Sequence, residues 1–326
     1  MNMNKKYSNK YVLETGIGLQ DVDGLKNSHY FIAESQRYIN GEISLKELDE
    51  IISSYYKNKP DVEERSEEAD KISIRIARII SEDSFAFTVG QLVSIHKTLF
   101  DGVFEHAGKL RSYNFTKKEW VLNGASVIYG DYRVLEETLQ YDFNLEKKFR
   151  YYNLPMDDVI EHLAIFIANL WQIHVFEEGN TRTTAVFVIK YLRSLGFDVT
   201  NDTFAKNAWY FRNSLVRANY NNIQNNVFAD RTYLIKFLRN LLLGENNILS
   251  NRELRIDKKK EEQNNNQRED QIISIIRSNA YVRIDDIAKA LDVSSRTIKT
   301  AIKGLEEKKV LKRVDGKKHG HWKIMK

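Results

Sequence analysis

Residues 173–184, Ile-His-Val-Phe-Glu-Glu-Gly-Asn-Thr-Arg-Thr-Thr, place one histidine, an acid pair, a glycine–asparagine step and one arginine in a single short stretch. These types at this spacing suit work on a phosphate. His174 can take a proton from an incoming hydroxyl. Glu178 can hold a divalent cation, Mg²⁺ foremost, because that ion keeps water and binds one or two carboxylates plus phosphates. Gly179 lets the backbone approach a phosphate closely, and Asn180 and Arg182 bring donors to its oxygens.

The flanking segments must position this loop. An apolar run from Val159 to Trp171 enters it and a second, Ala185 to Leu195, leaves it. Val159, Leu163, Phe166, Ile167 and Leu170 recur at helical spacing, and Asp157 and Asp158 suit a first turn, so the entering run reads as a buried helix. The leaving run reads as a helix ending at Gly196. Its N-terminus would offer the free amides of residues 179–183 to an anion. The residues alone leave two readings open: a phosphate site, or a capped interhelical loop with a satisfied histidine.

The stretch resembles the motif of Fic proteins, His-x-Phe-x-(Asp/Glu)-Gly-Asn-Gly-Arg-x-x-Arg. His174, Phe176, Glu178, Gly179, Asn180 and Arg182 match it, and the resemblance extends over roughly residues 60 to 250. It implies a mainly α fold, a helical core with a β-hairpin flap, and transfer of AMP from ATP to a Tyr, Ser or Thr hydroxyl of a target protein. By that resemblance His174 is the general base, Phe176 packs into the core, Glu178 binds Mg²⁺, and Gly179 to Arg182, including Thr181, hold the nucleotide phosphates. Asn219 and Tyr220 match positions that contact the nucleotide in some Fic proteins. Two departures stand out: Thr181 replaces the second glycine, and Ala185 replaces the second arginine, which removes a bidentate partner for the distal phosphate. Another nucleotide donor therefore stays open, as does Arg217 standing in for the missing arginine.

The 326 residues suffice for two or three domains. No apolar run reaches the length of a membrane span, the first ten residues lack the apolar core of a signal peptide, and no cysteine is present. A cytoplasmic protein without disulfides or thiolate metal sites fits these facts. The net charge of +5 is unevenly placed: 15 basic and 8 acidic residues follow from Arg268 onward, so the rest is slightly acidic. A nucleic-acid partner belongs to that end.

Four regions follow: 1–59, a helical N-terminal segment; 60–250, the Fic-like domain; 251–267, a charged Asn/Gln-rich linker; and 268–326, a small α+β winged helix. In the first, Asp23-Gly24 and Asn40-Gly41 break the chain, and Ser44 with Glu47 forms a capping box. This segment looks like the antitoxin-like modules of some Fic proteins, which inhibit by sending a glutamate to the motif's second arginine. Here the match is degenerate, Leu19-x-x-x-Asp23-Gly24, with a second at Leu241-x-x-x-Glu245-Asn246, and Ala185 can pair with neither acid. The alternative is a packing arm or a homodimer contact. Residues 112–130 read as a hairpin about Asn123-Gly124; as the flap of the resemblance it would align a target segment, with Val127 and Ile128 near the nucleotide. At the C-terminus, a helix capped by Ser294 or Ser295 carries Arg296, Lys299 and Lys303 toward phosphates and base edges, and Lys317-Lys318 forms a basic wing. Winged helices bind DNA or proteins, and both stay open.

The expected activity is protein adenylyl transfer. Two others use the same residues: a nucleotide-sensing DNA-binding regulator without transfer, and removal of the modification.

Overall fold

The computed structural model describes residues 7–58, 64–316 and 320–325. The chain divides into two compact units, 1–255 and 256–326.

Among the described residues, the first unit is built of helices and 3₁₀ turns joined by loops, with an isolated bridge between Asn222 and Val227. Three short helices open it: α1 (Asn9–Gly18), α2 (His29–Ile39) and α3 (Leu45–Asn58). Hydroxyls start all three, since Ser8 accepts from the Tyr11 amide, Ser28 from that of Phe31, and Ser44 from that of Glu47. Glu47 answers with its carboxylate on the Ser44 amide at 2.7 Å, which completes the expected capping box. Gly24 and Gly41 take left-handed φ at the two expected breaks.

Helix α1 lies against α4 (Glu64–Ser81) and α9 (Thr203–Ala218) at backbone distance. A Cβ on Gly16 would run into the Ser73 carbonyl, and one on Gly18 into Ala205. Buried Asp70 ties the arm down, accepting from the Ser28 amide and hydroxyl, Asn27 and Tyr56.

The centre is α8 (Asn180–Ser194), whose residues 180–192 are all buried. Against it pack α4, α5 (Val89–Phe100) and α7 (Met156–Ile173), with α6 (Leu135–Lys148) on α7 and α10 (Thr232–Leu243) on α9 and α7. Helix α7 begins with Asp157 and Asp158 and buries the expected Val159, Leu163, Phe166, Ile167 and Leu170. Gly196 follows α8 with φ +91°.

The hairpin expected at 112–130 is a correction. Asn123 (φ 54°) and Gly124 (φ 86°) do form a tight turn, with the Ala125 amide on the Leu122 carbonyl. However, Trp120–Leu122 coils into a 3₁₀ turn and no strand pair forms. Glu119, fully buried, is held by Arg212 at 2.6 and 3.0 Å; its amide donates across the turn to the Ala125 carbonyl at 2.9 Å, and the coil of Trp120–Leu122 keeps the two limbs from continuing as a ladder. Val127 is buried, while Ile128 is 84% exposed.

The segment 251–267, expected as a linker, also differs. Asn251–Leu254 forms a 3₁₀ turn with Leu254 buried, and α11 runs from Lys258 to Ser278.

In the second unit, α12 (Ile284–Ala290) and α13 (Ser295–Glu307) pack with α11 and an antiparallel pair, β1 (Leu311–Val314) with β2 (His321–Ile324), in the register Leu311–Ile324 to Val314–His321. Ile272, Ile276, Ile287, Ile298, Ile302, Leu305, Leu311 and Trp322 are its core. Residues 281–283 form no strand, although Trp322 bonds the carbonyls of Ala280 and Val282. Of the basic wing, Lys317, Lys318 and His319 lie outside the described residues. No helix among the described residues is long and apolar enough to cross a membrane.

Candidate active site

Helix α7 ends in His174, which takes a left-handed conformation (φ 52°, ψ 59°) with its amide on the Trp171 carbonyl. This turns the imidazole back beneath the segment 111–130. Tyr129 stacks on it with ring centroids 4.0 Å apart, and the Phe115 and Trp171 rings stand edge-on at 5.7 and 5.2 Å. The ring is 3% exposed; its Nδ1 lies 3.3 Å from the Trp171 carbonyl, and Nε2 has no hydrogen-bond partner among the described residues. Burial, with Lys117, Arg212 and Arg111 nearby, drives its pKa well below the usual histidine range. It is neutral at pH 7 and able to accept a proton.

The loop that follows is held from within. The Asn180 side chain bridges Phe176, donating to its carbonyl at 2.7 Å and accepting from its amide at 3.0 Å. Gly179 has φ +75°, and a Cβ there would strike the Phe100 ring. Thr181 Oγ1 accepts from Trp171 Nε1 at 3.0 Å, and Thr181 sits in regular helix, so no positive φ is asked of it. His96 closes the underside: the Gly108 amide donates to its Nδ1 at 2.8 Å, so Nε2 carries the proton and donates to the Glu178 carbonyl at 3.0 Å. It also stacks on Phe176 at 3.7 Å. Burial, aided by nearby His106 and Arg182 and opposed by the bond to Glu178, lowers its pKa to about 4.

Arg182 does not face the loop's anion side. Its guanidinium is 1% exposed and lies over the Phe100 ring. Nη2 bonds Glu68 at 2.9 Å, Nη1 bonds Gln20 at 3.2 Å, and Nε lies 2.9 Å from Asp23 in an ion contact without hydrogen-bond alignment. Asp23, the acid of the degenerate inhibitory pattern, thus meets the motif's first arginine, in a chain where the second is Ala185.

The remaining expected residues are placed as follows. Glu178 is half-exposed and accepts from Lys117 Nζ at 3.0 Å. Asn219 caps α9 and bonds the Ala168 and Leu215 carbonyls. Tyr220 is buried and accepts from Asn222. Arg217 is buried among Tyr233, Asp230 and Tyr220.

Sequence reasoning missed Lys117, Glu119, Arg212, Tyr129 and His96. Arg111 donates to the His174 and Tyr113 carbonyls at 2.7 Å and to those of Gly130 and Ile173, which fixes the segment against the end of α7. Tyr129 reaches Glu119 through its hydroxyl, and burial pushes that phenol's pKa up. A cleft of about 450 Å³ opens beside this group, lined by Val22, Asp23, Glu119, Trp120, Trp209 and Arg212 among others. Its size is that of a small-molecule site.

A family model for Fic/DOC proteins matches residues 86–192. The chain carries a Fic/DOC domain. A model for the DeoR-like helix-turn-helix domain matches residues 268–319. Among solved structures, a Fic family protein from Desulfovibrio desulfuricans G20 is similar at 14% identity, covering 97% of this chain and 87% of that chain, with a TM-score of 0.43. No curated protein matches. The Fic domain thus spans α5 to the body of α8, with His174 and Gly179 inside it. In the helix-turn-helix domain, Arg296, Lys299, Thr300 and Lys303 share the exposed face of α13.

Proposed function

We propose that the Fic domain transfers a nucleoside monophosphate from a nucleoside triphosphate, ATP in the first instance, to a hydroxyl of a target protein. The target oxygen attacks the α-phosphorus, its proton passes to His174 Nε2, the bond to the β-phosphate oxygen breaks, and pyrophosphate leaves. The observation that carries this reading is the unpartnered, buried, neutral Nε2 of His174 beside the start of α8. A buried imidazole nitrogen ordinarily finds a hydrogen-bond partner.

The first amides of α8 would receive phosphate oxygens, and the cleft between Trp120 and Trp209 would take the nucleoside. Glu178 offers one half-exposed carboxylate, which is what Mg²⁺ needs when nucleotide phosphates supply its other ligands, so Glu178 would hold that ion and the ion would offset phosphate charge. The exposed face of α13, with Arg296, Lys299 and Lys303, would engage DNA.

The test is intact-mass spectrometry of the protein, alone and with candidate targets, after incubation with Mg²⁺ and each nucleoside triphosphate, beside His174→Ala. The expected result is a nucleotide-sized adduct with the wild type only. An equal adduct with His174→Ala would overturn the assignment. A second reading, a nucleotide-sensing DNA-binding regulator without transfer, draws on the engagement of Arg182 by Asp23, Gln20 and Glu68. It predicts no adduct with any donor and nucleotide-dependent DNA binding.

A further inference from the structure

A nucleotide's phosphates need cations, and most of those near His174 have other work. Arg111 is engaged by backbone carbonyls and Asn114, and Arg212 by buried Glu119. Of the motif's two arginine positions, one is Ala185 and the other, Arg182, lies buried among Asp23, Gln20 and Glu68.

Lys117 is different. Its Nζ holds one carboxylate, that of half-exposed Glu178 at 3.0 Å, and lies 5.9 Å from the centre of the Phe115 ring, which itself stands edge-on to His174. The Lys117 amide is anchored on Ser126 Oγ at 3.1 Å, so the stem starts from a fixed point while the ammonium stays at the mouth of the site. Its partner precedes Gly179, where α8 begins. A half-solvated ion pair is weakly held, and a lysine on its flexible stem changes partner readily.

We propose that Lys117 is the residue that receives the donor's phosphate chain, passing from Glu178 to a phosphate oxygen as the nucleotide enters. The inference rests on the transfer reading for the identity of the ligand. The exchange leaves the Glu178 carboxylate free and puts a charge-assisted bond on a phosphate that neither motif arginine position reaches.

The experiment is calorimetric titration of the full chain with ATP and with adenosine, both in Mg²⁺, for the wild type, Lys117→Ala, Lys117→Arg and Arg182→Ala. Lys117→Ala is expected to weaken ATP by about tenfold or more, while adenosine stays within about twofold, and Lys117→Arg recovers most of the loss. A purely structural role would weaken both ligands alike, and that result would overturn the proposal. So would unchanged ATP affinity in Lys117→Ala, or a larger ATP loss in Arg182→Ala. Retained ATP binding in Lys117→Ala sinks this inference alone. A wild type that binds neither ligand sinks the transfer reading with it.

Discussion

The loop 174–182 and the first turns of α13 both set polar residues at the start of a helix, in opposite surroundings. In the Fic domain the polar atoms are buried and most are matched: Asn180 to Phe176, Thr181 to Trp171, Arg182 to Glu68 and Gln20. In the helix-turn-helix domain Ser294 caps the Thr297 amide, and the side chains of Arg296, Lys299 and Lys303 reach into solvent. A buried polar group is bonded or costly, so the first region tolerates one geometry. An exposed cation acts through its charge and tolerates many. Substitutions should therefore register as stability in the first and as salt-dependent affinity in the second.

The largest effect belongs to Gly179→Ala. The variant must place a side chain at φ +75° and against the Phe100 ring. Left-handed backbone costs roughly 1–2 kcal/mol for an ordinary residue, and overpacking typically adds about 1–3 kcal/mol. Gly196→Ala is the control, since its φ is +91° but nothing lies within 4 Å. Denaturant unfolding should show Gly179→Ala the less stable of the two by the packing share. Equal losses would mean that Phe100 does not demand the glycine, and the contrast drawn above would lose its sharpest case.

His96 gives a pH-dependent version of the same point. Its folded pKa lies near 4, below the usual 6.5, so the unfolded chain binds the extra proton first as pH falls. Stability is full above about pH 6.5 and drains away as pH falls toward 4, by about 3 kcal/mol if the whole shift is realised. Gln in its place cannot titrate. The gap between the wild type and His96→Gln should therefore change steadily over that window and stay constant above it; a gap that does not vary with pH would show that His96 is not the buried neutral group described.

What the sequence made legible is what local spacing encodes. The capping box at Ser44 and Glu47, the apolar stripe of α7, the loop between α7 and α8, and the pair β1 and β2 all depend on neighbours a few residues away. What it hid depends on distant partners. The Asn123-Gly124 turn formed as expected, but the chain before it coils into a 3₁₀ turn instead of a strand, and buried Glu119 at its start pairs with Arg212, 93 residues on. Arg182 was expected on a phosphate and is instead met by Gln20, 162 residues earlier, since two glycines let α1 approach at backbone distance. No periodicity announces either pairing. Lys117 escaped notice for the same reason: its chemistry comes from facing Glu178, which only the fold arranges.

The smallest effect on stability should come from the exposed end of the comparison. Among the described residues Arg296 and Lys299 meet no partner for their cationic groups, so Arg296→Ala/Lys299→Ala should leave the unfolding free energy of the chain within about 0.5 kcal/mol. Thr300 bonds its own helix, and Lys303 makes a loose pair with Glu307 at 3.7 Å, so neither is disturbed. If α13 lies on DNA, each lost cation releases about one fewer counterion, and the slope of log affinity against log salt should shrink by about two. Fluorescence anisotropy with duplex DNA over a salt series reads that slope directly. An unchanged slope with unchanged affinity would take DNA away from this face of α13 and leave it to a protein partner. A large loss of stability would instead mean that these cations belong to the fold, and the division between a buried, geometric motif and an exposed, electrostatic one would fail at its simpler end.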